Sequence, residues 1–461
     1  MNEPELHSEQ AVGAIEASAL KGAAANAEDG ATSSLVQAPP GSALGMSETA
    51  SEELFADQQG LGRMLLALRH RDFRYFWTGN FLSNIGTWMQ NVAQGWLVLK
   101  LSNSPFWLGM IGFASSAPML IFTLFGGVIA DRVNKRRLLI WTQSAMMVFA
   151  FIMAALVYMK VIAIWQLVVL VFLTGVAMAL NTPSYQALVP MLVPGEDLAN
   201  AIALNSAQFN MSRVLGPTLG GFAMAWIGIA GNFFLNALSF LAVIIALMQI
   251  HYPEEPRRRE SSMWETLLEG FRYSFSFPEM RDLVILISAT SLLAVPYITF
   301  IPLFARDILH VGERGLGLLM AWSGMGAFLG AATIAYFGRA RRRGKTVIIS
   351  GCVFFASVVL FCVSTRFWIS GLLQAISGYS MIVMVANINT LLQELSTDEM
   401  RGRVMGIYAT AFLGFAPIGS LLAGSFGNLL SAPLAIAAMN VLAIVVFLVV
   451  YYISPALREL N

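Results

Sequence analysis

The chain reads as an all-α membrane protein with about twelve transmembrane helices in two six-helix halves, a class predicted by three observations. Hydrophobic residues make up 57% of the 461 and charged residues only 12%, where a soluble domain carries roughly a quarter charged. One core could not hide that much apolar surface from water. Stretches 138–159, 214–250, 283–305, 346–365 and 404–457 carry no charge at all. A run of about 18 apolar residues crosses roughly 30 Å of hydrocarbon as a helix, so the longest of these runs are pairs of spans joined by tight turns. A single long polar connection, 251–281, divides the spans equally.

Residues 1–60 are rich in Ala, Ser, Glu and Gly and show no apolar period. They lack the basic start and apolar core of a signal peptide and are expected to form a disordered cytoplasmic tail. The first half, 61–250, holds spans near 73–99, 105–130, 137–159, 162–190, 199–226 and 229–250. The linker, 251–281, contains Arg257-Arg258-Arg259 and then Trp264, Leu267, Leu268, Phe271 and Phe275, whose spacing predicts an amphipathic helix lying at the interface. The second half, 282–461, holds spans near 282–306, 314–338, 345–364, 367–393, 402–427 and 432–454. With the N-terminus inside, loop bases favour the cytoplasm by about four to one, which makes the expected topology multi-pass with both termini cytoplasmic.

Several function classes fall away. A net charge of +1 with bases dispersed at helix ends offers no field for nucleic acid. Cys352 and Cys362 share one span, about 15 Å apart along a helix, too far for a disulfide. His7, His70, His251 and His310 fall in the tail or in loops. No zinc spacing, catalytic triad or phosphate loop occurs, so no enzyme, cofactor or metal site is expected.

Polar residues inside spans are the candidates for function, because an unpaired amide in lipid must face protein or water. In the first span Asn80, Asn84, Thr87, Asn91 and Gln94 recur every three or four residues and share one helical face. Such a stripe either lines a substrate cavity or hydrogen-bonds neighbouring helices. Trp77, Trp88 and Trp96 are read as packing or interface aromatics rather than cavity walls. Arg213 is the one charge deep in a span, and intramembrane ionisable groups face a cavity or a partner. Asn205, Gln208, Tyr297, Asn387 and Asn389 lie at comparable depth, whereas Asp307 and Glu394 sit at span ends. No acid falls in the middle of any span.

Two motifs and a repeat then carry a resemblance. "GGVIADRVNKRR" between spans two and three matches the pattern G-x-x-x-D-R-x-x-R-R at Gly127, Asp131, Arg132, Lys135 and Arg136. Asn134 stands where glycine is usual and also tolerates a positive φ. In span five "SRVLGPTLGG" matches G-x-x-x-G-P-x-x-G-G at Gly216, Pro217, Gly220 and Gly221, with Ser212 replacing the first glycine. Small residues there permit close helix approach, and the proline bends the helix. "GEDLANAIALNSAQFNMSRVLGPTLGG" has a counterpart in "TDEMRGRVMGIYATAFLGFAPIGSLLAG" about 200 residues later, including Pro417 for Pro217. Over residues 70–455 the chain resembles the major facilitator superfamily of secondary transporters, closest to the branch that includes the enterobactin exporter and macrolide efflux proteins.

The resemblance implies alternating access at the inner membrane, with export of amphipathic small molecules driven by protons. The partners are then a small-molecule substrate, the bilayer and protons, and the chain works as a monomer. Import of a metabolite by the same fold, and a non-transporting membrane sensor, remain open. Substrate-binding candidates are Asn84, Asn91, Gln94, Asn205, Gln208, Arg213, Tyr297 and Asn387. The resemblance also makes Gly127, Asp131, Arg132 and Arg136 a conformational gate, with Asp131 facing the start of span eleven, where the helix dipole favours a carboxylate. Asp131→Asn is expected to cut transport without loss of expression; wild-type flux from that variant removes the latch.

Overall fold

In the computed structural model the described residues are 66–250, 263–337 and 343–459. The tail expected over 1–60, the Arg257–Arg259 cluster and the bases of 339–342 lie outside them, as do the side chains of 123–132 and 263–268.

All described regular structure is helical. The first four spans are Arg71–Leu101, Pro105–Arg132, Lys135–Tyr158 and Ile164–Leu188. Spans five and six are the arms of Leu198–Gln249, which breaks only at Gly228 (φ 73°, ψ 179°). A positive φ strains any residue with a side chain, so a glycine there lets two apolar arms fold back without a polar loop. A surface helix, Met263–Ser276, precedes span seven, Pro278–Ile308. Spans eight to ten are Gly312–Phe337, Arg343–Val363 and Phe367–Leu395. Span eleven is Asp398–Leu429, interrupted near Phe415, and span twelve is Ala432–Ile453. Ten segments are long and apolar enough to cross a membrane. Counting both arms around Gly228 and adding the first span, whose amides dilute its apolarity, gives twelve crossings among the described residues.

Span seven differs from a regular helix. It contains two π-helical turns, Thr290–Ala294 and Phe304–Ile308, around Pro296 and Pro302. Proline removes a ladder hydrogen bond, and a widened turn is one way to absorb the loss. Helical geometry persists through Pro217 in span five, so the bend expected there is not a break in the backbone. The residues around it instead permit close approach. Gly216 faces the Ile85 carbonyl and Gly220 faces Met89, both in span one, while Gly221 lies against Gly317 of span eight.

The halves meet chiefly along two helix pairs, spans two with eleven and spans five with eight. Both seams are built from glycine. A Cβ on Gly109 would stand 2.8 Å from Gly424 Cα, and one on Gly317 would stand 2.7 Å from the Pro217 carbonyl oxygen. Without a hydrophobic force between helices in lipid, such backbone-to-backbone packing supplies the association.

The 132–135 turn and its bases mark one face of the bundle, called here the basic face. On the opposite face the halves are tied by side chains. Glu313 of span eight accepts from Trp96 Nε1 at 2.9 Å and Lys100 Nζ at 3.3 Å, both at the end of span one. The Arg306 guanidinium donates to the Leu99 carbonyl, and Ser104 donates to Asn428 at 3.0 Å. On the basic face the ion pairs between described residues each stay within one half: His70 with Asp197, Arg343 with Glu394, and Arg401 with Asp398. The surface helix joins the second half, through Glu269 and Arg403 at 2.5 Å.

Gly317→Leu is expected to push spans five and eight apart at a cost of about 1–3 kcal/mol, lowering the unfolding temperature of the detergent-solubilised protein. Gly195 supplies the control: a Cβ there would meet nothing within 4 Å, so Gly195→Ala leaves that temperature unchanged.

Candidate functional site

Two adjoining cavities occupy the interior. One, of about 610 Å³, lies wholly within the first half, among spans one, three, four, five and six. Its polar wall includes Asn80, Asn84, Gln143, Asn181 and Asn205, and it reaches the basic-face end of span four at Gln186 and Pro190. The other, of about 360 Å³, lies at the boundary of the halves, where Asn91, Gln94, Ser115 and Thr174 meet Ile298, Thr299 and Pro302 of span seven and Met320 of span eight. Thr87, Met146, Met178 and Phe240 line both. Each volume suits a drug-sized molecule held by apolar walls and a few oriented polar groups.

The amide stripe of span one supplies the shared wall. Its 3–4 spacing turns Asn84, Thr87, Asn91 and Gln94 toward the cavities, and Asn91 is exposed within its span. Part of the polar set is structural. Asn80 donates to the Phe76 carbonyl at 2.9 Å, and Gln90 accepts from Asn236 of span six at 2.6 Å. The stripe is therefore divided: part of it lines the cavities and part hydrogen-bonds its neighbours. Trp77 donates to the Leu204 carbonyl at 3.2 Å and Trp96 binds Glu313, as packing aromatics do. Trp88 differs from expectation, because it forms a wall of the inter-half cavity.

The other sequence candidates are spread more widely. Asn205 lines the larger cavity, with its amide oxygen buried and unpaired. Gln208 is fully buried, lines neither cavity, and leaves both amide atoms without partners; Ser212, one turn on, is buried and unpaired too. Arg213 borders a small gap between the halves, beside Trp88, Ile298, Met320 and Ser323. Tyr297 is buried inside the second half, where its hydroxyl meets Gln374 Oε1 at 3.1 Å and Ser377 Oγ at 3.0 Å. Asn387 turns back on its own helix, donating to Val383 at 2.7 Å, and Asn389 accepts from Gln393 at 2.6 Å. Neither lines these cavities.

Of the expected gate, Gly127, Asp131 and Arg132 are described only as the end of the span-two helix, and their side chains lie outside the described residues. Arg136 donates to the Leu247 carbonyl at 2.5 Å and to Met248 at 2.8 Å. It thus caps the C-terminal end of span six, where a cation is favoured. Asn134 has φ −53° and accepts from the Arg137 N–H at 2.9 Å. It stands in for glycine as an N-cap, not through a positive φ.

Sequence reasoning missed three features. Thr142 and Gln143 of span three converge on the Asn181 amide oxygen of span four, at 3.0 and 3.3 Å. Asn232 and Asn236 of span six are fully buried, and Asn232 donates to the Gly220 carbonyl at 2.9 Å. The intramembrane-amide rule applied to span one would have found both of these. Asp282, near the start of span seven, is buried with one carboxylate oxygen on Arg281 at 3.1 Å and the other unpaired. Asp307 and Glu394, by contrast, pair with Arg306 and Arg343 at the surface.

Comparison with known proteins agrees with this architecture. The family described as transmembrane secretion effector matches residues 64–460. The staphyloferrin A transporter of Staphylococcus aureus is 23% identical over 398 residues, covering 84% of this chain and 97% of the relative. The enterobactin exporter EntS of Salmonella typhi is 24% identical over 391 residues, covering 84% and 93%. Among solved structures, the nucleoside transporter NupG superimposes with a TM-score of 0.65 at 13% identity, over 83% of this chain and 98% of that one. A bacterial homolog of the human lysosomal transporter Spinster, inward-facing, gives 0.62 at 14% identity, over 84% and 95%.

Proposed function

Because the chain belongs to the transmembrane secretion effector family of major facilitator transporters, we propose that it exports an amphipathic, siderophore-like or drug-like small molecule across the inner membrane by alternating access. The observation that carries this reading is the pair of adjoining cavities walled by the span-one amides, one inside the first half and one against the second. A ligand there is oriented by Asn84, Asn91, Gln94 and Asn205 and held by apolar walls. The exporter and siderophore relatives favour outward movement of such a molecule.

The seams at spans two–eleven and five–eight are where the halves rock. Closure opposite the basic face rests on Glu313, Lys100, Trp96 and Arg306; on the basic face, the family resemblance assigns the latch to Asp131 and Arg132. With the basic face toward the cytoplasm, substrate enters from inside. Protons enter the proposal from the family, and Asp282 is the buried acid that the described residues offer for coupling.

Inverted membrane vesicles carrying the protein are expected to accumulate at least one probe from a set of dyes, macrolides and siderophores when an inward-acid gradient is imposed. A protonophore abolishes that uptake, and the Asn91→Ala/Gln94→Ala variant lowers it about tenfold, the loss of two hydrogen bonds of about 0.5–1.5 kcal/mol each. No movement of any probe, with or without the gradient, ends the exporter reading.

A further inference from the structure

Arg213 stands apart from every other described charge. It lies some 15 residues into span five, about 22 Å along the helix from the basic face and near the membrane midplane. Among the described residues it joins no ion pair, and its guanidinium forms no hydrogen bond. Arginine keeps its proton even when buried. An uncompensated guanidinium in hydrocarbon is costly, and such groups serve a pathway or a partner.

The surroundings carry donors rather than acids. Arg213 borders a pocket of about 20 Å³ with Trp88, Ile298, Met320 and Ser323, room for about one water-sized atom. Trp88, Ile298 and Met320 also line the inter-half cavity, so the two spaces adjoin. Tyr297, next in sequence to the pocket residue Ile298, binds Gln374, whose amide nitrogen is buried without a partner. The backbone is arranged for the same closeness. Pro217 has no N–H to give the Arg213 carbonyl, and a Cβ on Gly324 of span eight would stand 2.9 Å from that oxygen.

We propose that Arg213 is the counter-charge of an anion-binding site at the boundary of the two halves. The ligand is a single negative charge with oxygen or halide acceptors. Its source is either a carboxylate of the transported molecule, reaching in from the adjoining cavity, or an inorganic anion from solution. Arg213 lies on span five and the pocket residues Ser323 and Ile298 on spans eight and seven, so the bound anion bridges both halves. The substrate arm of this inference rests on the export reading; the binding arm does not.

The test uses the full chain in lipid nanodiscs at constant ionic strength, with iodide as quencher of tryptophan fluorescence and benzoate as competitor. Saturable quenching is expected, displaced by benzoate, and its component missing in W88F belongs to the tryptophan in the pocket. R213Q weakens iodide binding about tenfold or more, as loss of a charge-assisted contact does, and R213K, which retains the charge, weakens it less. Size-exclusion profiles establish that the variants are folded, and R213K decides the matter if R213Q is not. Inverted vesicles then compare fluorescein, an anion, with rhodamine 6G, a cation on the same ring system. A carboxylate source predicts that R213Q lowers fluorescein flux at least tenfold more than rhodamine 6G flux. An inorganic source predicts lost iodide binding while the two fluxes change together. Wild-type protein without saturable quenching, or R213Q binding iodide within twofold of wild type, overturns the site. Wild-type protein that moves neither dye counts against export while leaving the iodide result to decide anion binding.

Discussion

A polar group cannot stand alone in hydrocarbon, and the placement of span one follows from that constraint. A helix carrying Asn80, Asn84, Thr87, Gln90, Asn91 and Gln94 cannot face lipid on its amide side. It is therefore enclosed by spans two, three, four, five and six around the cavities, and its last turns, Val92 to Leu99, are buried entirely. Some of its amides are satisfied by neighbouring helices, as Gln90 is by Asn236. The rest are left to line the cavities. A cavity thus exists because the most polar helix is centred and only partly paired.

The second constraint is that association in lipid has no hydrophobic drive. The halves are held by glycine seams, where Gly109 meets Gly424 and Gly221 meets Gly317, and by one cluster of side-chain ties opposite the basic face. Contacts of this kind are short-ranged and concentrated near one face, while the basic-face ion pairs between described residues remain inside each half. A bundle whose ties between halves, among the described residues, gather at one end is suited to rocking about its seams, which is how a site near the midplane becomes alternately accessible.

Much of the fold was legible because membrane spans are read by length and charge alone. The expected turn at 227–228 coincides with Gly228, and the expected amphipathic helix overlaps Met263–Ser276. The site was less legible, because pairing between helices is a long-range property. Asn84 and Asn387 look alike in sequence, yet one lines a cavity and the other bonds its own turn. Gln208 sits one turn from Arg213 but is packed away from both cavities. The larger cavity belongs to the first half alone, and the second contributes Ile298, Thr299, Pro302 and Met320 to the smaller, a division that no single span announces.

The central claim, that the amide face of span one is the wall of a solvent-filled path, is tested most directly by thiol accessibility along that helix. Single cysteines placed at Asn84, Thr87, Asn91, Val92 and Ala93, after removal of Cys352 and Cys362, would be exposed to a membrane-impermeant thiol reagent in open membranes. The account predicts rapid labelling at 84, 87 and 91 and protection at 92 and 93, which are 1% and 0% exposed. Equal protection of all five, or equal labelling of 92 and 93, would contradict it.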